Sequence, residues 1–573
     1  MSYDLVIRRG TIVDGLGGAP YVGDVAVSNG VIATVGCVDG DAARVIDAAG
    51  LLITPGFVDL HTHYDGQAIW SERMTPSSAH GVTTVVMGNC GVGFAPCRAG
   101  DHDVLVDVMA GVEDIPGVVM ADGLAWDWET FPEYMDALDA RKRDIDVAAF
   151  LPHSPLRVYV MGQRGVDRAP ATDDDLARMR ALAAEAIEVG ALGVASSRLA
   201  IHRTERGAPI PSYDAARDEI AALASGVADA GGGLIQFVPD IPAGGYEPVL
   251  QQVFEVAQDA GLPVTFTLVV GNTGDPIWPE AIAMVEKFNA AGSDISAQVF
   301  PRPVGLMIGL ELTANPFVLY PSYREIAGLP LAERVAQMRK PEVRARILAD
   351  KPSPGGHPLL YMAQAWEWIF PLDDPPNYEP DRSTSILARA KARGVRPVEE
   401  AYDRLLDDDG HAILLGAMAN FEGNSLDTAG NLLRRDDVVL GLGDGGAHYG
   451  MICDASFPTF LLAHWARDRA RGRFSVAEAV EQLTSVPARV AGLLDRGRIA
   501  PGYKADLNVI DHAALTLHRP VETYDLPAGG RRLDQTADGY VATIVSGEVI
   551  AENDVPTSAR PGRLVRGRQG VPA

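Results

Sequence analysis

Two histidines, His61 and His63, close the segment GFVDLHTH at residues 56–63. The apolar run before them is typical of a buried strand, and side chains at i and i+2 of a strand project to the same side. Two neutral imidazoles at this spacing can chelate one divalent metal ion. An HxH pair alone is a weak signal, but its position after an apolar run and a Pro-Gly turn favours a metal site at the end of a strand.

Two further apolar runs end in residues that could join such a site. Asp444 ends the run in VVLGLGDGGAH (438–448), where its carboxylate could ligate a metal and accept a proton from water. The alternative is that Asp444 caps the following helix. Cys90 follows the run in TTVVMGNCGVGFAPC (83–97) and as a thiolate would be a soft metal ligand. The alternative for Cys90 is a buried structural cysteine.

The elements that must position these residues alternate along the middle of the chain. Apolar runs are separated by amphipathic stretches such as DDDLARMRALAAEAIEVG and YEPVLQQVFEVAQDAG, a pattern typical of parallel strands in βα units. We count eight candidate strands, which contain GFVDLHTH, TTVVMGN, VAAFLPH, ALGVASS, GLIQFVP, PVTFTLVV, DISAQVF and VVLGLGD. Eight such units predict an α/β protein with a (β/α)8 TIM-like barrel, whose active sites lie at the carboxyl ends of the strands.

The two ends of the chain have a different pattern, with short alternating strands broken by Asp-Gly, Asn-Gly and Gly-Gly. Neither end can bury a face alone, so we predict that residues 1–55 and 496–573 pair into one small β-sandwich domain. The barrel then covers residues 56–495. Residues 303–430 break its rhythm and are rich in Pro, Trp and Tyr, which indicates an insertion or lid over the mouth. The alternative is outer-ring helices and surface loops.

Four segments together resemble the amidohydrolase superfamily: ITPGFVDLHTHYDGQ, GVTTVVMGNCGVGFAPCR, LGDGGAH and VPARVAGLLDRGRIAPGYKADLNVID. Within it the sequence is most similar to the N-acyl-D-amino-acid deacylases (D-aminoacylases), from about residue 3 to about residue 551. The resemblance implies zinc and hydrolysis of an amide C–N bond. By motif, His61, His63 and Asp444 match metal ligands and Cys90 matches the family's cysteine ligand. Asp65 in HTHYD is implied to support the ligands or to contact substrate.

The sequence departs from this family at strands five and six, each of which usually ends in a histidine. Phe237 and Leu268 stand near those positions, and Val270 stands near a lysine that could hold a substrate carboxylate. We therefore expect one zinc ion (Zn2+), held by the two histidines of HTH and Asp444 with Cys90 or water. Two alternatives stay open: a degenerate site, or substitution by another histidine among His153, His202 and His448.

The same replacements predict a drier pocket. Together with Trp366, Trp368 and Tyr361 of the insertion, they favour an aromatic or bulky apolar substrate. Polar contacts to the substrate are expected from residues after the strands, although for the arginines exposed loop charges are the alternative. The predicted substrate contacts are Asp65, His153, Arg198, His202, Arg203 and His448.

The function expected from these residues is hydrolysis of an amide by metal-activated water, with Asp444 as the proton acceptor. No GxSxG serine motif is evident, in agreement with a mechanism without a covalent intermediate. Hydrolysis of a cyclic amide, imide or lactone, or a deamination, is an alternative on the same scaffold. A second alternative is a non-catalytic binding protein on a decayed site.

The overall composition excludes several classes of protein. Acidic residues outnumber basic ones by 76 to 49, a formal charge of −27 that repels nucleic acid and anionic lipid. The segment MSYDLVIRRGTIVDG does not have a signal-peptide pattern, and no run of about 18 apolar residues is present. We expect a cytoplasmic protein with a small-molecule substrate and no nucleic-acid or membrane partner; assembly into a homo-oligomer is left open.

Overall fold

The computed structural model describes residues 2–240, 245–353 and 362–572. Tyr361, one of the aromatic residues predicted near the mouth, lies outside the described residues. No helix in the described ranges is both long and apolar enough to cross a membrane.

The N-terminal part forms five strands: β1 (Tyr3–Ile12), β2 (Tyr21–Ser28), β3 (Val31–Gly36), β4 (Ala42–Asp47) and β5 (Leu52–Pro55). Strand β1 pairs antiparallel with β2, and in parallel first with β4 and then with β5. The turn between β2 and β3 places Asn29 and Gly30 at φ 53° and 76°, as a tight hairpin requires. The Asn-Gly signal in the sequence therefore marks a real hairpin.

The next strands are buried along their whole length and lie in parallel ladders: β6 (Phe57–Asp59), β7 (Val82–Met87), β8 (Asp146–Ala149), β9 (Leu151–Pro152), β10 (Gly193–Ser197), β11 (Leu234–Val238), β12 (Val264–Thr267) and β13 (Ile295–Val299). The α-helices between them are Gln67–Trp70, His102–Glu113, Gly117–Gly123, Phe131–Asp139, His153–Met161, Gln163–Val166, Asp173–Glu188, Arg217–Asp229, Glu247–Ala260 and Trp278–Ala290. Their apolar faces cover the sheet, as the helical periodicity of the sequence predicts.

The insertion forms an antiparallel sheet of β14 (Val304–Ile308), β15 (Ile369–Pro371) and β16 (Leu414–Ala419), with β16 in the middle. Its α-helices are Pro321–Arg324, Leu331–Met338, Pro341–Ala349, Ile386–Arg393 and Pro397–Leu405. Ile308, Phe317, Tyr402 and Leu405 belong to a hydrophobic cluster separate from the main one. The segment thus has a hydrophobic cluster of its own within the described residues.

Strand β17 (Val438–Leu440) returns the chain to the parallel strands. The ladder order is β17-β13-β12-β11-β10-β9 in one sheet and β6-β7-β8 in the other, and Phe150 alone separates β8 from β9. No ladder within the described ranges joins β17 to β6. Two backbone hydrogen bonds connect the segments that follow them, from Asp444 N to His61 O (3.0 Å) and from His63 N to Gly445 O (2.7 Å). The α/β class is confirmed, and all eight predicted segments contain a strand.

The C-terminal part contains the α-helices Asp427–Leu432, Phe457–Phe460, Val476–Leu483 and Ser485–Val490, a π-helix Leu461–Asp468, and the strands β18 (Leu507–Ile510), β19 (Thr516–Leu517), β20 (Val521–Leu526), β21 (Gly530–Asp534), β22 (Ala537–Asp538), β23 (Tyr540–Val545), β24 (Glu548–Glu552) and β25 (Val555–Pro556). Both ends of the chain share one sheet, in the order β25-β24-β23-β18-β5-β1-β2-β3. Residues 562–569 leave that sheet: Leu564 bridges Val147 of β8 and Gln569 bridges Leu493.

Glu379 of the insertion connects it to the π-helix Leu461–Asp468 and to Arg469, the residue after it. Its carboxylate accepts hydrogen bonds from Arg469 Nε (2.8 Å) and Nη2 (2.7 Å) and from His464 Nε2 (2.9 Å). Burial acts to raise the pKa of Glu379, but the hydrogen bonds from Arg469 and His464 outweigh it and hold the pKa well below its usual range. The ionised carboxylate is therefore favoured in the folded protein.

We expect Glu379→Gln to destabilise the protein at neutral pH by about 2 kcal/mol, the scale of a hydrogen bond to a charged group. Since the folded pKa is depressed, this contribution is present above the unfolded pKa of about 4.3 and is lost as the pH falls through the folded pKa. Urea unfolding at several pH values should show that the difference in free energy of unfolding between the variant and the parent protein becomes smaller at acidic pH. Glu367→Gln, at an exposed carboxylate, is the control that should change little. A gap that does not depend on pH would contradict the assignment.

Candidate metal centre

His61 and His63 follow β6 directly and are both buried. His61 is held at two points: its N–H donates to Asp59 Oδ1 (3.1 Å), and its ring Nδ1 lies 2.6 Å from Gln298 Oε1 on β13. Because the glutamine oxygen only accepts, His61 carries its proton on Nδ1 and presents the lone pair of Nε2. This is the arrangement that a metal-ligating imidazole needs.

The GNCG motif is a tight turn after β7 that requires its glycines. Gly88 has φ 80°, and a Cβ there would lie 2.6 Å from the carbonyl oxygen of Phe150. Cys90 itself has φ 57°, in the left-handed region that L residues other than Asn and Asp seldom adopt. The backbone N–H of Cys90 donates to Gln236 Oε1 of β11 (3.0 Å). This backbone conformation directs the Cys90 thiol toward the histidines and holds it there.

Asn89 connects this turn to the histidine segment. Its side-chain Nδ2 donates to Val86 O (2.9 Å), Leu60 O (3.3 Å) and Thr62 O (3.3 Å), so that it bridges the ends of β6 and β7. The asparagine of the motif is therefore a structural link between the two segments that carry candidate ligands.

Three donor atoms, from His61, His63 and Cys90, lie within 4.8 Å of one another, and a fourth, from Asp444, lies beside the two imidazoles. Cys90 Sγ lies 3.4 Å from His61 Nε2 and 3.8 Å from His63 Nε2. Asp444 Oδ1 lies 3.4 Å and 3.6 Å from the same two nitrogens. Tetrahedral zinc with its usual bond lengths places its ligand atoms about 3.3–3.8 Å apart. The two imidazole nitrogens and the thiol are spaced as zinc ligands are, and the Asp444 carboxylate adjoins both imidazoles.

The protonation of the acidic donors follows from their burial. Burial raises the pKa of Asp444, but the hydrogen bond from His63 and the attraction of the neighbouring imidazoles outweigh it and lower the pKa to about 2. Burial, together with nearby carboxylates, raises the pKa of the Cys90 thiol well above its usual value. Asp444 is thus ionised, and Cys90 becomes a thiolate only when a cation is present to stabilise it.

Glu113, at the end of helix His102–Glu113, is a site residue that the sequence patterns do not indicate. Its Oε1 lies 3.4 Å from His63 Nδ1 and its Oε2 lies 3.4 Å from His448 Nε2. The carboxyl group is buried, and burial raises its pKa well above the usual value. Glu113 is placed to orient His63 as Gln298 orients His61. The available signal was a charged residue on a helix whose other residues are mostly apolar.

Known proteins resemble this chain over most of its length. The model of the amidohydrolase family matches residues 44–551. The chain belongs to the amidohydrolase family. A D-aminoacylase of Alcaligenes xylosoxydans xylosoxydans is 26% identical over 98% of this chain and 97% of that protein. An uncharacterized protein of Mycobacterium tuberculosis is 29% identical, with 96% and 92% covered.

Solved structures give the same result. A D-aminoacylase with a binuclear metal centre superposes on this amidohydrolase with a TM-score of 0.65 at 25% identity, over 98% of this chain and 100% of that chain. The N-acyl-D-glutamate deacylase of Bordetella bronchiseptica, at 21% identity, has a TM-score of 0.65 over 99% and 100% of the chains, which shows that the fold is shared. The resemblance to the D-aminoacylase family is confirmed, and the protein is a hydrolase of C–N bonds by family.

The donors of this amidohydrolase open into a cavity of about 320 Å³. Of the predicted substrate contacts, His202 and His448 line it. Burial, with the charge of nearby imidazoles, lowers the pKa of His202 to about 3; burial lowers that of His448 to about 4. Both are neutral at neutral pH and can only hydrogen bond to a substrate.

The other four predicted substrate contacts lie outside the cavity lining. Asp65 is buried and accepts from Gly88 N (3.1 Å), so it supports the turn of the GNCG motif. His153 lies between Ser196 Oγ (2.9 Å) and Glu219 Oε1 (2.8 Å). A buried carboxylate partner explains why this strand-end histidine does not join the site.

The two arginines predicted to hold a polar group are engaged elsewhere. Arg198 donates to Gln252 Oε1 (2.5 Å) and to the carbonyl of Ala215. Arg203 donates to Ala200 O and Gly207 O of its own loop, both at 3.0 Å. These bonds hold each side chain to backbone or helix surface and away from the cavity.

At the ends of strands five and six, the residues that face the cavity are each one position away from the residues that the sequence predicts there. Phe237, Leu268 and Val270 are buried in the main hydrophobic core, and the cavity is lined by Val238, Thr267 and Val269. Side chains alternate along a strand, so a shift of one residue exchanges the two faces. The cavity positions at the ends of these two strands are therefore Val238, Thr267 and Val269, and none of them is a histidine.

The aromatic residues expected from the insertion do not line the cavity within the described ranges. Trp366 packs in the core of the insertion and Trp368 against the main core. The insertion contributes instead Val304, Leu306, Met362 and Met418 to the lining. It covers the mouth with aliphatic side chains.

We expect Gln298→Leu to weaken zinc binding by about 10–100-fold, because His61 loses the partner that fixes its tautomer. Competition against a chelating dye measures the dissociation constant directly. Gln67→Leu is the matched control: Gln67 is also buried and donates to Arg73 O (2.9 Å) and Thr75 O (3.0 Å), and it is not among the donors. Equal weakening in both variants would show that Gln298 acts only through general stability.

Proposed function

We propose that this amidohydrolase hydrolyses an amide C–N bond with one divalent metal ion, zinc by the chemistry of its ligands. The observation that carries the proposal is the cluster of His61, His63 and Cys90, whose donor atoms lie within 4.8 Å of one another, with Asp444 Oδ1 beside both imidazoles. A nitrogen, sulfur and oxygen set of this kind suits zinc better than magnesium or calcium.

We further propose that the eight parallel strands close into a (β/α)8 barrel with the donors at its mouth. The backbone hydrogen bonds between residues 61–63 and 444–445 support this closure. All four donors follow the carboxyl ends of strands, where barrel enzymes carry their active sites.

The residues at the ends of strands five and six support a single ion. Val238, Thr267 and Val269 occupy the cavity positions of strands five and six, and none offers an imidazole. The solved D-aminoacylase is described as activated by one metal and attenuated by a second. One ion is therefore compatible with the chemistry of that relative.

His61, His63, Cys90 and Asp444 would hold the ion. When bound, it supplies Lewis-acid activation of water and of the scissile carbonyl. Asp444, ionised in the folded protein, accepts the proton of the attacking water and delivers it to the leaving nitrogen. The water oxygen forms the new bond to the carbonyl carbon, the C–N bond breaks, and an acid and an amine are released.

A substrate panel tests this function. Zinc-loaded protein is incubated with N-acyl amino acids of both hands, neutral N-alkyl amides, a cyclic imide and a lactone, and the release of amine or ring-opened acid is measured. We expect hydrolysis of an amide or imide C–N bond. Zinc-loaded protein that cleaves the lactone alone, or none of the panel, would refute the proposal.

A further inference from the structure

The cavity above the four donors is lined mainly by flexible or branched aliphatic side chains. Met362 and Met418 come from the insertion side, Met451 from the segment after β17, and Ile201, Leu306 and Val269 complete much of the wall. At about 320 Å³ the space suits a small molecule. Methionines fill irregular gaps and adapt to branched alkyl groups. The wall is thus built to receive hydrocarbon.

The acidic side chains that line this cavity in the described ranges are those of Glu113, Asp444 and Asp454. Neither a lysine nor an arginine is among its lining residues. The stretches outside the described residues, 241–244 and 354–361, contain neither residue type in the sequence. No Lys or Arg from those stretches can therefore complete the wall.

The buried arginine next to the cavity is already paired. Arg302 donates to Asp454 Oδ1 (2.6 Å), to Cys453 O (3.0 Å) and to Ser456 Oγ (3.0 Å). Its charge is balanced by the carboxylate that faces the cavity. A substrate anion would meet that carboxylate before it met the guanidinium.

A bound metal does not supply the missing cation. Held by the Cys90 thiolate and the Asp444 carboxylate, a divalent ion is neutralised by its own ligands. An additional carboxylate on the substrate would enter a mostly apolar space without a counter-charge, which is strongly unfavourable.

We propose that the substrate is an uncharged amide or imide with an aliphatic group beside the scissile bond and without a carboxylate there. This inference rests on the proposed function and narrows it. It departs from N-acyl amino acids, whose free carboxylate would need a cation in the wall. The distinction is one of charge, so it can be tested with substrates of equal shape.

The experiment compares N-acetyl-D-leucine with N-acetyl-D-leucinamide, and the same pair of the L series, on the zinc-loaded protein. We expect kcat/KM for the neutral amide to exceed that for the acid by at least about 100-fold. Binding of each compound to the Asp444→Asn variant is measured by calorimetry and should show the same order. A carboxylate that is hydrolysed and bound as well as its amide would overturn the inference.

A variant pair separates charge from size. Val269→Lys places a cation in the wall and should reduce the preference for the neutral compound by at least about 10-fold, since a facing charge compensates the carboxylate. Val269→Met adds similar length without charge and should preserve the preference. If neither compound is hydrolysed but the neutral one binds more tightly, the proposed function fails and the inference on charge stands.

Discussion

Replacing Asp444 by asparagine is expected to lower kcat by about 1,000-fold while one zinc ion per chain stays bound. The amide has almost the same shape as the carboxylate and can still face His61 and His63, from which Asp444 Oδ1 lies 3.4 and 3.6 Å. It cannot accept the proton of the attacking water. Steady-state kinetics on the fastest neutral amide, with zinc measured on the same sample, gives the result.

Thr267→Val is the matched control for this variant. Thr267 lines the same cavity and is not one of the donors, and its hydroxyl has no hydrogen-bond partner among the described residues. Its removal should leave kcat within a few-fold of the parent protein. Near-normal turnover of the Asp444→Asn variant with zinc bound would remove Asp444 from the role of proton acceptor.

Removal of the metal is expected to abolish hydrolysis, and one equivalent of zinc to restore it. The reason is that His61, His63 and Cys90 form one cluster of donor atoms with Asp444 beside it, and the walls at Val238, Thr267 and Val269 offer no imidazole for a second ion. Titration of chelator-treated protein with zinc, with activity and bound metal both recorded, tests this. The activity should reach its plateau at one equivalent.

Two outcomes of this titration would contradict a single catalytic zinc ion. A plateau at two equivalents would mean that residues beyond the four donors bind metal. Full activity after the zinc has been removed would exclude the metal from the reaction. The Cys90→Ser variant should bind zinc more weakly, because a hydroxyl is a poorer ligand than a thiolate for this ion.

The donors could be predicted because each follows an apolar strand within a few residues. His61, His63, Cys90 and Asp444 are fixed by local order along the chain once the strands are parallel. Glu113 could not be predicted in this way, since it depends on where the end of a helix packs. Gln236 and Gln298 could not be predicted for a related reason. The sequence predicts the strands that carry them, but it does not show which residues of those strands face the site.

The wrong predictions of cavity residues also arise because the sequence does not show which way a buried side chain points. The phase of a short strand is hard to read when every residue in it is buried, and the cavity is lined by Val238 and Thr267 where the sequence predicts Phe237 and Leu268. His153 ends a strand as a ligand would, but its partner Glu219 comes from a distant helix. The α/β pattern, by contrast, follows from periodicity alone and was predictable.

The left-handed backbone at Cys90 (φ 57°) and at Leu442 (φ 63°), two residues before Asp444, has a consequence for how the protein can change. Each such conformation costs an L residue roughly 1–2 kcal/mol that glycine avoids. Substitution by glycine at either position would remove this cost and stabilise the fold. At Cys90 this cost places the thiol beside the two histidines, so that stability is traded there for the position of a metal-binding side chain.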